Sequence, residues 1–458
     1  MIESLTELPI LIERSKSLGI KPYIGVRVKA KSKIKSHWSS TSGDHSVFGL
    51  SASQLIYIVD QLKAHNMLDR LQLLHCHLAS QIYDISDIRN GVIEIQRYYT
   101  DLCKEGAAMG YIDFGGGLAV DYIGDHSNNN QSRNYSLKEY CETIVDTLKA
   151  SCSKENIKHP VIITESGRAT VFYNSIFLLN IFDVTQFKSP ILPEVQEGEH
   201  DLIQKMRNII SHIKPQEIQE NYHDVYFYRK KISELFKLGK IDLRTYSISE
   251  TLFLGILYKI YNIMITIEPA PSELENLKKY LVDIYYGNFN LFQSLPDIWA
   301  IDQKFPIMPI HRLDEKLSKQ AMLSDITCDC DGKIDHFING HSLPLHPLKI
   351  GEDYYLGVFL LGAYQETLGN LHNLFGRTHI INIRLNKDSG FEIIEEVHGH
   401  KNADVLSYVN FQPQQMQKDF KNKVETAVND GRINTCERQQ IINAFNTLMQ
   451  DYTYSTKK

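Results

Sequence analysis

The sequence predicts an α/β protein with a parallel sheet and its helices first, then a helical bundle, then a mostly antiparallel β domain. Three observations predict this order. Residues 1–190 alternate helical patterns with short apolar runs, which is typical of βα units. Residues 200–292 carry apolar side chains at helical spacing. Residues 300–400 return to short strand-like runs that are separated by turn residues and not by long helices.

The first region contains about five strand–helix units, where a (β/α)8 barrel needs eight. Its strand-like runs are PYIGVRV (22–28), LQLLHCH (71–77), YIDF (111–114), PVIIT (160–164) and SIFLLNIFDV (175–184). The pattern therefore predicts either an open doubly wound sheet or a barrel that lacks its first strands.

Four domains follow from these patterns. Residues 1–195 are predicted to form the partial barrel, and residues 196–293 an inserted bundle of about four helices. Residues 294–408 are predicted to form the β domain, which is expected to be sandwich-like. Residues 409–458 are polar and helical in pattern, and they are predicted to form a C-terminal helical extension.

Composition excludes several functional classes. The net charge is −6 and the charges are mixed in sign, unlike a nucleic-acid-binding surface. The most apolar stretch, 252–267, contains Lys259 and is too short to span a bilayer. Met1 is followed by Glu3 and Glu7 and not by a signal-peptide pattern. Seven cysteines without a regular framework suit a reducing compartment, so a soluble cytoplasmic protein is expected.

Two strand ends carry groups that suit a phosphorylated ligand. The run FGGGLAVDY (114–122) places three glycines after a strand, where backbone N–H groups can approach a phosphate, although such glycines also make ordinary turns. The run ITESGRA (163–169) places Glu165 and Arg168 after another strand. They form either a structural ion pair or a site in which the carboxylate binds a ring nitrogen and the arginine binds a phosphate.

Histidines and cysteines leave several interpretations open. His75 and His77 are two apart, so on a strand they point the same way and form either a metal pair, a ring stacked on a planar ligand, or ordinary core residues. Cys328, beside Asp329, is either a proton donor, half of a metal pair with Cys330, or an ordinary buried thiol.

Taken together and in order, these segments resemble the biosynthetic arginine decarboxylases over nearly the whole chain. That family has a pyridoxal-phosphate (PLP) barrel of the alanine-racemase type and a β-sandwich. The matching segments are IGVRV, FGLSASQ, LLHCHLASQ, DFGGGLAVDY, NYSLKEY, ESGRA, FQSLPDIWAIDQ, FPIMPIHRLDE, DITCDCDGKID and GVFLLGAYQETLGNLHNLFG. The last three favour arginine over the ornithine and diaminopimelate members.

The resemblance implies conversion of L-arginine to agmatine and CO2 in polyamine (putrescine and spermidine) biosynthesis, with PLP and Mg²⁺ as cofactors. His77 is implied to stack on the PLP ring and Glu165 to pair with the ring nitrogen. Cys328, as proton donor, and Asp329, as substrate contact, are implied to enter a neighbouring subunit's site, hence a homo-oligomer. No Mg²⁺ ligand is implied. The implied cofactor-binding residues are His77, Ser80, Gly115, Gly116, Gly117, Glu165, Gly167, Arg168 and Tyr364.

Two departures stand out. Ala79 replaces the glycine that usually follows the stacking histidine, and the added methyl reaches a place where backbone passes close to the cofactor. The family's Schiff-base lysine, in a Tyr-Pro-x-Lys-x-Asn-like segment of an early barrel strand, has no counterpart here. About three units, roughly 90 residues, are expected to be missing before Met1. The chain alone is therefore expected to be inactive.

Two other interpretations of the function remain. One is a non-catalytic or split-enzyme subunit that pairs with a lysine-bearing N-terminal fragment or an intact homologue. The other is metal binding through His75, His77 and the cysteine pair Cys328 and Cys330.

Overall fold

The structure, a computed structural model, has three buried apolar clusters. One lies between a parallel sheet and its helices, one in a second sheet, and one inside a helical bundle. The structure describes residues 1–32, 34, 46–267, 271–349, 351–387 and 390–455.

The first region alternates helices and strands. In chain order it contains α1 (Glu7–Leu18), β1 (Ile24–Arg27), α2 (Ala52–Ala64), β2 (Leu71–His75), α3 (Ile85–Lys104), β3 (Tyr111–Asp113), α4 (Leu137–Lys154) and β4 (Val161–Ile163). The four strands form one parallel sheet in the order β1-β2-β3-β4. Capping boxes at Ser51 and Ser136 begin α2 and α4, because each serine accepts from a backbone N–H three residues later.

The remaining elements follow in chain order. They are α5 (Gly167–Val171), β5 (Phe177–Thr185), α6 (Asp201–His212), α7 (Ile218–Lys237), α8 (Leu243–Met264), α9 (Glu275–Tyr280), β6 (Asp283–Gly287), α10 (Leu291–Ser294), α11 (Pro296–Ile301), β7 (Ile307–Pro309), β8 (Lys319–Ser324), β9 (Lys333–Ile334), β10 (Leu343–Leu345), β11 (Tyr354–Val358), α12 (Gln365–Leu368), β12 (Ile380–Asn386), β13 (Gly390–Val397), α13 (Asn402–Tyr408), α14 (Pro413–Asn429) and α15 (Thr435–Gln450).

The parallel sheet has two uncovered edges within the described residues. Beside β1, no further strand pairs within the described residues; Ile2 forms a parallel bridge to Val26, and Leu50 forms one to Val28, the residue after the strand. At the other edge, Val161 and Ile163 of β4 are 57% and 37% exposed. Apolar side chains thus remain accessible at the edge where a closed barrel would bury them.

The fifth strand-like run does not belong to the parallel sheet, so that part of the sequence prediction was wrong. β5 lies in the second sheet, of order β10-β8-β6-β5-β11-β7, and is antiparallel to β6 and β11. Within this sheet, β6 and β8 are parallel and the other strand pairs are antiparallel. The apolar run indicated a strand correctly, but the sheet that a strand joins is decided by its partners, which here lie about a hundred residues or more away along the chain.

Helices α6 to α9 form the predicted bundle, inserted between β5 and β6, two adjacent strands of one sheet. Its core is built by α6, α7 and α8, whose buried residues include Met206, Val225 and Ile256. The apolar 252–267 stretch lies mostly in α8. In agreement with its sequence, no helix in the described part of the chain is long and apolar enough to cross a membrane.

Candidate active site

The predicted motifs meet at the carboxyl ends of β2, β3 and β4. His75 ends β2 and pairs with Asp113 at the end of β3. Asp113 in turn pairs with Ile163 at the end of β4. Because the three parallel strands end at the same level, the residues that follow them are brought to one edge of the sheet.

Two backbone N–H groups fix the glycine run, one at the end of its own strand β3 and one at the histidine loop. The Gly115 N–H donates to Asp113 Oδ1 at 2.8 Å, and the Gly116 N–H donates to His77 Nδ1 at 3.2 Å. Burial, followed by the charge of Arg27, lowers the pKa of His77. The ring is therefore neutral at pH 7, with Nδ1 as the acceptor and Nε2 carrying the hydrogen.

Glycine is required in this run for packing as well as for any ligand. Gly115 has φ +64°, and a Cβ there would lie 2.8 Å from His77 Nδ1. Gly117 has φ +118°, and its Cβ would lie 2.9 Å from Ile82 Cδ1. Any other residue would push the histidine loop away from the glycine run.

We expect Gly115→Ala to destabilise the protein more than Gly124→Ala. Both glycines have positive φ, but nothing lies within 4 Å of a Cβ on Gly124. The control therefore measures the backbone cost alone, about 1 kcal/mol. The clash with His77 should add roughly 1–3 kcal/mol. Urea unfolding of both variants measures the difference, and equal losses would contradict the packing role.

Arg168 is buried at the same edge and held by two tyrosines. It is 5% exposed. Its Nη1 donates to the Tyr122 hydroxyl at 3.1 Å, and its guanidinium lies 4.7 Å from the centroid of the Tyr364 ring. Burial raises the pKa of Tyr122 despite the neighbouring Arg168 charge, so this hydroxyl stays neutral. The guanidinium is therefore fixed in place by the two tyrosines.

Glu165 lies beside two buried groups that precede it in the chain. Its carboxylate, that of Asp113 and a ring nitrogen of His75 lie within 4.8 Å of one another. Burial lowers the pKa of His75 more than the Asp113 carboxylate raises it. Gly167, which begins α5, joins Glu165 to Arg168 along the chain.

The departure at Ala79 is accommodated. Ala79 is fully buried, and its φ lies outside the left-handed region, unlike that of Gln81 (φ +53°). Gln81 fastens the loop, which includes the half-buried Ser80, to the segment after the glycines. Its Nε2 donates to the Val120 carbonyl at 2.6 Å, and its Oε1 accepts from the Val120 N–H at 2.9 Å. The alanine methyl therefore packs in the core without backbone strain.

Cys328 and Asp329 lie on the loop between β8 and β9, outside the parallel sheet. The Cys328 N–H donates to Asn373 Oδ1 at 3.0 Å, and Asn373 Nδ2 donates to Cys328 Sγ at 3.4 Å. Asp329 lies 3.5 Å from His372 Nε2. Cys328 is exposed. The side chains predicted to serve a neighbouring subunit are thus accessible on the surface of this chain.

The predicted metal cluster of His75, His77 and the two cysteines does not form. Strand β2 ends at His75, so the alternation that would point both histidines the same way does not reach His77. His77 Nδ1 accepts from Gly116 instead. Among the described residues, the groups that could hold a metal are His75 with Asp113 and Glu165, and Asp329 with Cys330 and Asp331.

Sequence reasoning missed Arg27, Asp113 and Tyr122. Arg27 ends β1 and its charge acts on His75 and His77. All three residues lie inside the matching segments, but the sequence does not show which residues they contact. For Asp113 a signal existed, because it ends a strand directly before the glycine run.

Comparisons with known proteins agree with this geometry. Residues 1–172 match "Pyridoxal-dependent decarboxylase, pyridoxal binding domain", residues 196–278 match "Arginine decarboxylase helical bundle domain", and residues 403–454 match "Arginine decarboxylase C-terminal helical extension". The biosynthetic arginine decarboxylase of Thermosynechococcus vestitus is 40% identical over 99% of this chain and 72% of its own length. That of a Nostoc species is 39% identical over 99% of this chain and 67% of its own.

Solved structures show the same fold. The biosynthetic arginine decarboxylase from Campylobacter jejuni matches all of this chain and 73% of its own, with a TM-score of 0.84 and 31% identity. A diaminopimelate decarboxylase from M. jannaschi matches 90% of this chain and 69% of its own, with a TM-score of 0.55 and 15% identity, which shows the fold alone.

Fold and site together define a PLP-dependent decarboxylase with an alanine-racemase-like barrel, which makes its class a carboxy-lyase. Within that class, the chain belongs to the biosynthetic arginine decarboxylases.

Proposed function

We propose that this chain supplies the PLP-binding edge of an arginine decarboxylase that converts L-arginine to agmatine and CO2 for polyamine synthesis. The observation that supports this most directly is the convergence of the glycine run, Arg168 and Glu165 at one edge of the sheet. The residues present fit two groups of PLP, its phosphate and its ring nitrogen. The buried guanidinium suits its phosphate, and the Glu165 carboxylate suits its ring nitrogen.

PLP, when bound, supplies a ring that accepts the electrons left by the departing CO2. Arg168 and Tyr364 would bind its phosphate beside Ser80 and the glycine run. Neutral His77 would cover the ring, since a charged imidazolium there would oppose the protonated ring nitrogen. Glu165 would hold the proton on that nitrogen and so keep the ring electron-poor.

We assign Cys328 and Asp329 to a site shared with a second copy of the chain, in a homo-oligomer. The Cys328 thiol would deliver a proton to the substrate carbon that loses CO2, and the Asp329 carboxylate would bind the substrate. Their exposed loop supports this assignment, because the side chains are accessible to another subunit.

The chain by itself is proposed to be inactive because it lacks a suitably placed lysine. Of the four parallel strands, only β1 is followed by lysines within the next ten residues. The ammonium group of the first of these lysines, Lys29, donates a hydrogen bond to the Ser46 carbonyl at 2.7 Å. We expect the purified 458-residue chain, given PLP, Mg²⁺ and L-arginine, to release no agmatine above a PLP blank. Measurable turnover would refute this part of the proposal.

A second candidate function is that of a subunit which completes its sheet with a separate lysine-bearing polypeptide. The exposed β4 edge favours it, as does an apolar groove on α1 formed by Ile10, Leu18 and Ile20. Co-purification of a partner that restores a borohydride-reducible link to PLP would support this candidate.

We further propose a cytoplasmic location, supported by the free state of all seven cysteines. Mg²⁺ dependence stays a prediction without assigned ligands.

A further inference from the structure

Three neighbouring strands each deliver one metal-ligating group to the same place. His75 is the last residue of β2, Asp113 is the last of β3, and Glu165 follows β4 by two residues. One ring nitrogen and two carboxylate oxygens from this set lie within 4.8 Å of one another. The sheet register fixes their backbones, and the Glu165 N–H donates to the Gly115 carbonyl at 2.8 Å.

Within this group, one buried polar atom has no partner. His75 is 8% exposed and Asp113 is 9% exposed. His75 Nε2 makes no hydrogen bond within the described part of the protein. A buried imidazole nitrogen without a partner is costly, and two facing carboxylates add a strong preference for a cation. Asp113 is oriented by the Gly115 N–H that it accepts, as metal-binding carboxylates commonly are.

We propose that His75, Asp113 and Glu165 bind a divalent transition-metal ion such as Zn²⁺, in competition with the ring nitrogen of PLP. Metal binding is inferred from the cluster alone. The competition rests on the proposed function, in which Glu165 pairs with the ring nitrogen of PLP. Two carboxylates and one imidazole suit zinc, whereas Mg²⁺ prefers oxygen ligands only. Ligand atoms around tetrahedral zinc lie about 3.4 Å apart, so the cluster needs to contract by at most ~1.4 Å. The exposed Glu165 side chain can make that movement.

The test is a Zn²⁺ titration of the full chain against a chromophoric chelator, followed by PLP titration with and without Zn²⁺. We expect one Zn²⁺ per chain, and at least ~10-fold weaker binding in His75→Gln and Glu165→Gln. Glu165 is exposed, so its variant remains informative if the buried His75→Gln variant does not fold. His159→Gln, at an exposed histidine before β4, is the matched control and should bind normally.

Each other outcome is decisive. Binding that survives Glu165→Gln but is lost in Cys330→Ser would place the ion on the β8–β9 loop and overturn the proposal. Simultaneous binding of Zn²⁺ and PLP would overturn the competition. Failure of PLP to bind in the absence of metal would contradict the proposed function, while the Zn²⁺ result would still decide the metal site.

Discussion

Mixing this chain with a lysine-bearing segment of a relative is expected to produce arginine decarboxylase activity that neither polypeptide has alone. This chain covers 72% of the Thermosynechococcus vestitus enzyme, and the segment is chosen from the uncovered part so that it contains the lysine that the family resemblance implies. The physical reason is that the proposed PLP site is divided between the two polypeptides. In the proposed function, this chain holds Arg168, the glycine run and Glu165 at one sheet edge, and the segment would add the lysine that the family resemblance implies.

The expected gain is large even if assembly is poor. Enzymes typically accelerate their reactions by ~10⁶-fold or more over the uncatalysed rate, so one active complex per thousand chains gives about 10³-fold over that rate. Agmatine is measured by mass spectrometry. The segment with its lysine replaced by alanine is the matched control and should give no gain. Activity with that control, or association without any activity, would contradict the division of the site.

Docking of the segment should depend on the uncovered sheet edge. Val161 and Ile163 present apolar side chains there, 57% and 37% exposed. A strand added to β4 would bury them and pair its free backbone groups. We therefore expect the isolated chain to associate with other polypeptides more readily than a closed barrel does.

Much of the site could be predicted because the parallel strands end at one level. Once LLHCHLASQ, FGGG and ESGRA were each recognised after a strand, their convergence followed from the sheet, and the structure brings His77, Gly116 and Arg168 to one edge. The bundle was predictable for a similar local reason, since apolar residues at helical spacing identify helices whatever they pack against.

The parts that sequence could not give depend on distant contacts. β5 is an apolar run like those of the parallel strands, yet its partners are Tyr354–Val358 and Asp283–Gly287. Tyr122 lies at the end of the glycine motif, and only the folded chain brings its hydroxyl to Arg168. Ala79 is fully buried, so the core accommodates its methyl, and its effect on the cofactor stays a prediction.

Replacing Arg168 with methionine is expected to weaken PLP binding by about 10- to 150-fold. Arg168 is buried between the Tyr122 hydroxyl and the Tyr364 ring, so its charge is fixed and little ordering is needed when phosphate binds. A hydrogen bond to a charged group contributes about 1.5–3 kcal/mol, which corresponds to that range of affinity. PLP absorbance or fluorescence titration of the chain measures the change.

Pyridoxal, which lacks the phosphate, separates the phosphate role of Arg168 from a general loss of structure. The Arg168→Met variant should lose affinity for PLP and keep its affinity for pyridoxal. Tyr122→Phe is the graded comparison, because it removes the 3.1 Å contact to the guanidinium but leaves the charge. It should weaken PLP binding by a smaller factor than Arg168→Met. Equal losses for PLP and pyridoxal would show that Arg168 supports the fold of the site and does not bind the phosphate.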